Sequence, residues 1–175
     1  IETSSAVDIN IVESLLEEGK INKNTFVICN GFKRDAYVEN IARIINNGHR
    51  NTIPIIDNYE ELDLLQEQID GKFKIGIRIA AEEEPKFEFY TSRLGIGYKN
   101  IVPFYRKQIQ ENKQVELKML HFFINTGIRD TAYYWNELLK CLKVYIALKK
   151  ECPTLDGLNI GGGFPIKNSL AFEYD

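Results

Sequence analysis

A run of three glycines near the end of the chain is the clearest candidate for chemistry. Gly161, Gly162 and Gly163 lie in the stretch LNIGGGFPI, between an apolar, strand-like run and Pro165. Backbone N–H groups can turn together toward one anion only where no Cβ atom intervenes, so the run suits a phosphate group. It lacks the ending of a P-loop, and it does not follow the first strand, where a dinucleotide fold places its glycines. A tight turn without any ligand would use the same residues.

An arginine inside an apolar strand is the second candidate. The run KIGIRIA, residues 74–80, alternates isoleucines with Gly76, Arg78 and Ala80. Because successive side chains of a strand face opposite sides, we expect the isoleucines to lie under helices and the other three to point inward. A buried guanidinium needs a carboxylate partner, and Glu2 is a candidate. Two small residues beside a paired charge predict a ligand pocket, and a structural ion pair at a barrel mouth is the alternative.

A histidine lies in a later apolar run, LKMLHFF. The same alternation predicts that Leu117, Met119, His121 and Phe123 face inward, with Phe123 at the mouth and His121 one layer deeper. By itself His121 is predicted to be a packed, hydrogen-bonded core histidine rather than a catalytic base. The NTG turn that follows, at residues 125–127, contains amide and hydroxyl donors suited to an anion.

Strand-like and helical patterns alternate along the whole chain, and these elements must position the candidates. The apolar runs FVICN, TIPII, KIGIRIA, LKMLHFF and LDGLNI are each followed by a helical pattern. Such alternation implies parallel strands with right-handed crossovers, in either a doubly wound sheet or a (β/α)8 barrel. A glycine cluster after a late strand favours the barrel, whose phosphate sites lie at the carboxyl ends of the strands. We therefore predict one incomplete TIM-barrel domain over residues 1–175.

The composition is typical of a globular protein. The chain has 175 residues, a formal net charge of −3 and 44% apolar residues. Lysine and arginine are interleaved with aspartate and glutamate, which argues against a nucleic-acid surface. No apolar run approaches the roughly 18 residues of a membrane span, and no signal segment opens the chain, so we expect a cytoplasmic protein. The three cysteines lack the spacing of metal ligands and are predicted to be buried thiols.

Three stretches together resemble a known family. LNIGGGFP, LHFFINTG and FVICNGFKRDAYVENIA are similar to the pyridoxal-phosphate barrel domain of the alanine-racemase-like (fold type III) decarboxylases, and most closely to biosynthetic arginine decarboxylases. The GGGFP run is shared with ornithine and diaminopimelate decarboxylases and indicates the superfamily. The ICNGFK and LHF runs favour the arginine branch. Nearly the whole chain can be laid against that domain, from the end of its second strand to the phosphate loop after its sixth, so the chain resembles an excerpt.

The resemblance implies pyridoxal 5'-phosphate as the cofactor and a homo-oligomer whose active sites lie at the interface. The implied cofactor-binding residues are Glu2, Arg78, Phe123, Thr126, Gly161, Gly162 and Gly163. The three glycines would approach the phosphate together with Thr126, which stands where the family usually has a serine. Arg78 falls on an arginine near the pyridine ring, and Glu2 falls on an acidic position of the pocket.

The chain departs from the family at two places. The family motif F-H-x-G-S contains a histidine that stacks on the cofactor ring, and Phe123 stands at its position here. Phe123 can stack but cannot donate a proton. The lysine that forms the Schiff base lies in the family on the first strand, so it is expected upstream of Ile1. Lys33 is predicted to be a surface residue at the start of a helix, and we expect this chain alone not to catalyse.

The function that the resemblance implies is pyridoxal-phosphate-dependent decarboxylation of arginine to agmatine and carbon dioxide, which feeds polyamine (spermidine) biosynthesis. A related decarboxylase of diaminopimelate, ornithine or carboxynorspermidine is the first alternative. The second is another barrel enzyme that binds a phosphorylated substrate through the same glycines. The third is a catalytically inactive relative with a binding or regulatory role, which the loss of the stacking histidine favours.

Overall fold

The computed structural model describes residues 1–80, 94–124, 131–162 and 164. The strands within these ranges are β1 Glu2–Thr3, β2 Val27–Cys29, β3 Thr52–Ile56, β4 Phe73–Ala80, β5 Ile96–Gly97, β6 Val115–Phe122 and β7 Gly157–Asn159. The helices are α1 Ala6–Glu17, α2 Asp35–Asn46, α3 Tyr59–Gln68, α4 Tyr98–Phe104 and α5 Thr131–Lys149, and a π-helical stretch, Tyr105–Ile109, continues α4. None of these helices is long and apolar enough to cross a bilayer.

The strands are all parallel and follow one another across the sheet. Their order is β1-β2-β3-β4-β6-β7, and the short β5 pairs with the end of β4. Each new long strand is therefore added at the same edge, whereas a doubly wound sheet reverses direction at its first strand. An ordered run of parallel strands with helical crossovers is half of a (β/α)8 barrel, so the predicted partial barrel is confirmed.

The main core lies between the sheet and the helices. Ile75, Ile77 and Ile79 of β4 are fully buried there, in one cluster with helix residues such as Ile41 and Leu65. This confirms that the isoleucines of β4 lie under the helices. Asn58 caps the start of helix α3, because its side chain accepts a hydrogen bond from the Glu61 N–H at 3.0 Å. Such a cap satisfies a backbone donor that the helix itself leaves unpaired.

The concave face of the sheet carries a second, smaller apolar cluster. It consists of Ile28, Ile53 and Ile55, with Met119 packed against them. A Cβ atom on Gly76 would overlap Cδ1 of Ile55 and would lie 3.2 Å from the carbonyl oxygen of Met119. The prediction that the missing side chain of Gly76 leaves space for a ligand is therefore wrong, because Ile55 fills that space.

A register shift in β6 changes which of its residues face inward. Ile75 lies opposite Leu117, but the next residue, Gly76, lies opposite Met119. The extra residue, Lys118, moves the alternation of β6 by one position, as a β-bulge does. Leu117 is accordingly buried in the helix-side core, so its predicted inward orientation is wrong, whereas Met119 packs on the concave face as predicted.

Candidate functional site

The carboxyl ends of the strands bring most of the predicted residues to one edge of the sheet. Arg78 on β4 lies opposite His121 on β6, and His121 lies opposite Asn159 on β7. Glu2 is on β1, and Phe123 and Gly161 follow the ends of β6 and β7. This is the edge at which barrels build their active sites. Thr126 and Gly163, also predicted for the site, lie outside the described residues.

Arg78 is buried and contacts an aromatic ring and a carboxylate. Its side chain is 7% exposed, and its Cζ atom lies 5.5 Å from the centroid of the Phe123 ring. Its Nε atom lies 3.9 Å from Oδ1 of Asp57, a residue that is itself buried. Burial lowers the pKa of Arg78, and the negative charge of Asp57 opposes that effect. The guanidinium thus has both an aromatic face and a counter-charge, a combination worth most where water is excluded.

Glu2 has other partners than the predicted one. Its Oε2 atom accepts a hydrogen bond from Nδ2 of Asn30 at 2.9 Å, and its Oε1 atom accepts one from Nδ2 of Asn159 at 2.7 Å. Asn159 in turn accepts a hydrogen bond from the N–H of Gly161 at 2.9 Å. The idea that Glu2 pairs with Arg78 is therefore corrected: among the described residues Asp57 is the carboxylate beside Arg78, and Glu2 bridges the ends of β2 and β7.

The glycines of the terminal run differ in what they require. Gly161 has a φ of +71°, and a Cβ atom there would lie 2.7 Å from the carbonyl oxygen of Phe122. Its backbone conformation and its closeness to β6 therefore demand glycine without any ligand. Among the described residues, nothing lies within 4 Å of the Cβ position of Gly162, so none of them fills the space beside it. The turn explanation thus accounts for Gly161, and room for an anion remains at Gly162.

His121 is packed into the site as a neutral ring. It is 5% exposed, and its ring lies 6.5 Å from that of Phe123 with an angle of 18° between the planes. Burial, followed by the charges of Arg78 and Lys33, lowers the pKa of His121 to about 4. Its Nδ1 atom is buried and has no hydrogen-bond partner among the described residues. The predicted packing of His121 is confirmed, whereas the predicted hydrogen bond is absent at Nδ1 among the described residues. The lowered pKa keeps the ring neutral, with a single N–H proton, at neutral pH.

A buried lysine beside the site was missed by the sequence reasoning. Lys33 is 2% exposed, so its predicted place on the surface is wrong. Its ammonium group donates to the carbonyl oxygen of Gly31 at 2.8 Å and to that of Ile55, and lies 3.4 Å from Oε2 of Glu61. Helix α2 begins only at Asp35, which leaves Lys33 free to turn toward the ends of β2 and β3. The acidic partner of Lys33 is Glu61. The sequence signal for its place in the first turn of a helix was its spacing from Asn58, which is that of a capping box.

The concave face holds a cavity of about 650 Å³. Of the predicted cofactor-binding residues, Glu2 lines it, together with Asn159, the inner apolar residues Ile28 and Met119, and other side chains of the face. Arg78, Phe123 and Gly162 lie above it at the carboxyl edge. An aromatic platform, a paired cation and an open glycine at one edge fit a planar ligand that carries a phosphate group.

Comparison with known proteins agrees with that fit. The family model for the pyridoxal-binding domain of pyridoxal-dependent decarboxylases matches residues 2–173. Biosynthetic arginine decarboxylase of Prochlorococcus marinus (strain MIT 9215) is 26% identical over 95% of this chain and 26% of its own length. Arginine decarboxylase 1, chloroplastic, of Arabidopsis thaliana is 27% identical over 100% of this chain and 25% of its own length. The chain thus spans about a quarter of the length of these curated relatives.

Solved structures share the fold at low sequence identity. Lysine decarboxylase from Selenomonas ruminantium superposes with a TM-score of 0.68 at 17% identity, over 95% of this chain and 40% of that one. Biosynthetic arginine decarboxylase from Campylobacter jejuni superposes with a TM-score of 0.65 at 22% identity, over 99% of this chain and 29% of that one. At these identities the likeness concerns the half-barrel and its strand order.

Proposed function

Because the chain belongs to the pyridoxal-dependent decarboxylases, as their pyridoxal-binding domain, we propose that the complete protein decarboxylates arginine to agmatine and carbon dioxide. The observation that carries the choice of substrate is the similarity of at least 95% of the chain to curated arginine decarboxylases. The related reactions on diaminopimelate, ornithine and carboxynorspermidine are the nearest alternatives. We extend the proposal to a cytoplasmic homo-oligomer, which is supported by the resemblance to the family.

The described residues have distinct tasks in this proposal. Pyridoxal phosphate, when bound, supplies a ring that accepts the electron pair left by the departing carboxylate. Phe123 would cover one face of that ring, and Arg78 would set the charge near it from its place over Phe123. The N–H of Gly161 already donates to Asn159. We therefore assign the phosphate contacts to Gly162, with Gly163 and Thr126 as further donors.

Neither of the two rings described at this edge is suited to donate a proton. Phe123 has no proton to donate, and burial keeps His121 neutral by lowering its pKa to about 4. Protonation of the product carbon therefore falls to a group other than these two residues. Glu2 is held by two amide donors and serves to order the end of β7.

The experiment that tests the function uses the complete protein. Reduction with borohydride in the presence of pyridoxal phosphate, followed by mass spectrometry, should find one pyridoxyl-lysine upstream of Ile1. Carbon dioxide release should then be faster from arginine than from ornithine or diaminopimelate. No modified lysine would overturn the proposal in favour of a barrel that binds a phosphorylated substrate.

Substitution at Gly162 tests the phosphate assignment. In Gly162→Val the branched side chain would fill the open space beside the backbone, and we expect the protein to lose bound pyridoxal phosphate. Gly162→Ala is the graded control, because its Cβ atom would meet no atom of the described residues within 4 Å and the fold should be retained. Cofactor content is measured by absorbance after gel filtration. If a folded Gly162→Val protein retained the normal amount of pyridoxal phosphate, the assignment of the glycine run to the phosphate site would be wrong.

A catalytically inactive relative is the second candidate function. It is favoured by Phe123, which replaces a side chain able to donate a proton, and by the neutral His121 below it. This reading expects cofactor binding and a modified lysine without carbon dioxide release from any of the three amino acids. The same two measurements therefore separate it from the enzyme.

A further inference from the structure

A buried ion pair between Lys33 and Glu61 lies at the ends of β2 and β3, on the same edge of the sheet as the predicted cofactor site. The side chains of Lys33 and Glu61 are 0% and 2% exposed, and Nζ of Lys33 lies 3.4 Å from Oε2 of Glu61. Two charges leave water at a high free-energy cost unless other polar groups also contact them. The lysine has further acceptors in the carbonyl oxygens of Gly31 and Ile55, at the ends of β2 and β3. The pair therefore ties two strand ends to the first turn of α3.

Glu61 extends this connection to the backbone of Asp57. Its Oε2 atom accepts a hydrogen bond from the Asp57 N–H at 2.9 Å, and its Oε1 atom accepts one from the Lys33 N–H at 3.0 Å. The carbonyl oxygen of Asp57 accepts a hydrogen bond from the N–H of Gly95 at 3.1 Å. The peptide groups on both sides of Asp57 are thereby held, which fixes the direction of its Cα–Cβ bond.

The Asp57 carboxylate is buried and faces Arg78. It is 1% exposed, with Oδ1 lying 3.9 Å from Nε of Arg78. Its two oxygen atoms accept no hydrogen bond from the described residues. The guanidinium it faces lies 5.5 Å from the ring centroid of Phe123. A continuous series of contacts thus runs from Lys33 through Glu61 and Asp57 to Arg78, and ends at the aromatic platform.

We propose that Glu61 and Asp57 are positioning residues for the pyridoxal phosphate site: Glu61 fixes the backbone of Asp57, and the Asp57 carboxylate holds the Arg78 guanidinium over Phe123. This inference rests on the proposed function. Neither residue touches the cofactor, and each acts through its neighbour. Substitution of Glu61 or Asp57 should therefore weaken cofactor binding, in addition to any loss of stability.

The test measures the dissociation constant for pyridoxal phosphate in variants of the complete protein. Asp57→Asn keeps the shape of the side chain but removes the charge that faces Arg78. Glu61→Gln removes the negative charge and replaces one acceptor oxygen with an NH2 group. That group would face the N–H donors that now bind the carboxylate. We expect each variant to raise the dissociation constant about tenfold, the size of coupling found within one ion-pair network. The double variant should bind no more weakly than the weaker single variant, because both changes interrupt one series of contacts.

Two controls separate positioning from stability. Leu65→Ala, on the buried face of α3, should lower the melting temperature without changing cofactor affinity. Glu151→Gln breaks an exposed ion pair with Arg106 and should change neither quantity. If Glu61→Gln does not fold, Glu61→Asp takes its place, because it retains the charge and shortens the reach of the carboxylate.

The outcomes are distinct. A wild-type protein that does not bind pyridoxal phosphate overturns the proposed function, and this inference with it. Wild-type binding with unchanged affinity in the folded variants overturns this inference alone. The inference is also overturned if the increases in dissociation constant multiply in the double variant. It is overturned as well if Leu65→Ala weakens cofactor binding as much as the single variants do. Weakened binding in both single variants that does not multiply supports it.

Discussion

Lys33 and His121 show how burial sets the chemistry of single residues. Lys33 follows an ICNGF stretch and precedes a helix, a context that predicts a solvated lysine. Its acidic partner Glu61 lies 28 residues away, on a different helix. The sequence shows the residue types, but the contact between the first turn of α3 and the segment that follows β2 decides which charges leave water. The sequence could not predict that Arg78 pairs with Asp57 rather than with Glu2, because that pairing also depends on how the elements pack.

The neutral state of His121 makes a prediction about acid stability. An unfolded histidine takes up a proton near pH 6.5, whereas burial lowers the pKa of His121 in the folded protein to about 4. As the pH falls from 6.5 to 4, the unfolded state binds the proton first, so the free energy of unfolding should drop. The drop from this residue is about 3 kcal/mol at most. It should be absent in His121→Gln.

The measurement is the urea midpoint of the complete protein as a function of pH. The difference between the wild type and His121→Gln isolates this histidine from other groups that titrate in the same range. Above pH 6.5 the difference should be constant, and it should change steadily below that pH. Two curves that stay parallel down to pH 4 would show that His121 is protonated as easily in the folded protein as in the unfolded one.

At the scale of elements, strand periodicity was a good guide wherever the strands were regular. Alternation correctly placed the isoleucines of β4 and, above the bulge, Met119 of β6. It failed at Leu117, because nothing in the local sequence marks the register shift opposite Ile75 and Gly76. A bulge is decided by how two strands fit together, so one strand's sequence does not reveal it. The same fit explains Gly76, whose missing side chain serves packing.

The contact between Gly76 and Ile55 predicts a compensating pair of substitutions. Gly76→Ala should destabilise the protein by about 1–3 kcal/mol, because the new methyl group would overlap Cδ1 of Ile55. Ile55→Val, which removes that atom, should cost about 0.5–1.5 kcal/mol alone. Together the two changes should cost less than their sum. Urea unfolding of the four proteins in this cycle measures the difference. Strict additivity would mean that the Ile55 side chain does not limit the space at Gly76.

At the scale of the molecule, the order of strands and the family were both readable from the sequence. Alternating patterns predicted parallel strands, and the glycine run favoured a barrel over a doubly wound sheet. Trp135, Leu138 and Leu139 recur at helical spacing in α5, a pattern that predicts one buried apolar face. Leu138 is buried, but Trp135 and Leu139 are 64% and 50% exposed. Helical periodicity identifies an apolar face, but the neighbouring elements decide how much of it is covered.

The bridge from Glu2 to Asn159 joins residues that are 157 positions apart in the chain. Contacts of such long range form late in folding, since their loop-closure entropy is recovered only after the intervening elements have docked. During synthesis, Glu2 would be able to accept hydrogen bonds from both Asn30 and Asn159 only after β7 has been made. We therefore expect the mouth of the half-barrel to close last during folding and to open first.

Hydrogen exchange on the complete protein can test this order of opening. In Glu2→Gln one of the two amide donors loses its acceptor, so the amides of β1 and of Gly161 should exchange faster. The amides of β4 and β6, which pair along most of their length, should be unaffected. Uniform acceleration across all strands would instead mean that the bridge is part of the structure that forms early. A barrel mouth that opens by itself offers a large cofactor a way in without unfolding the sheet beneath it.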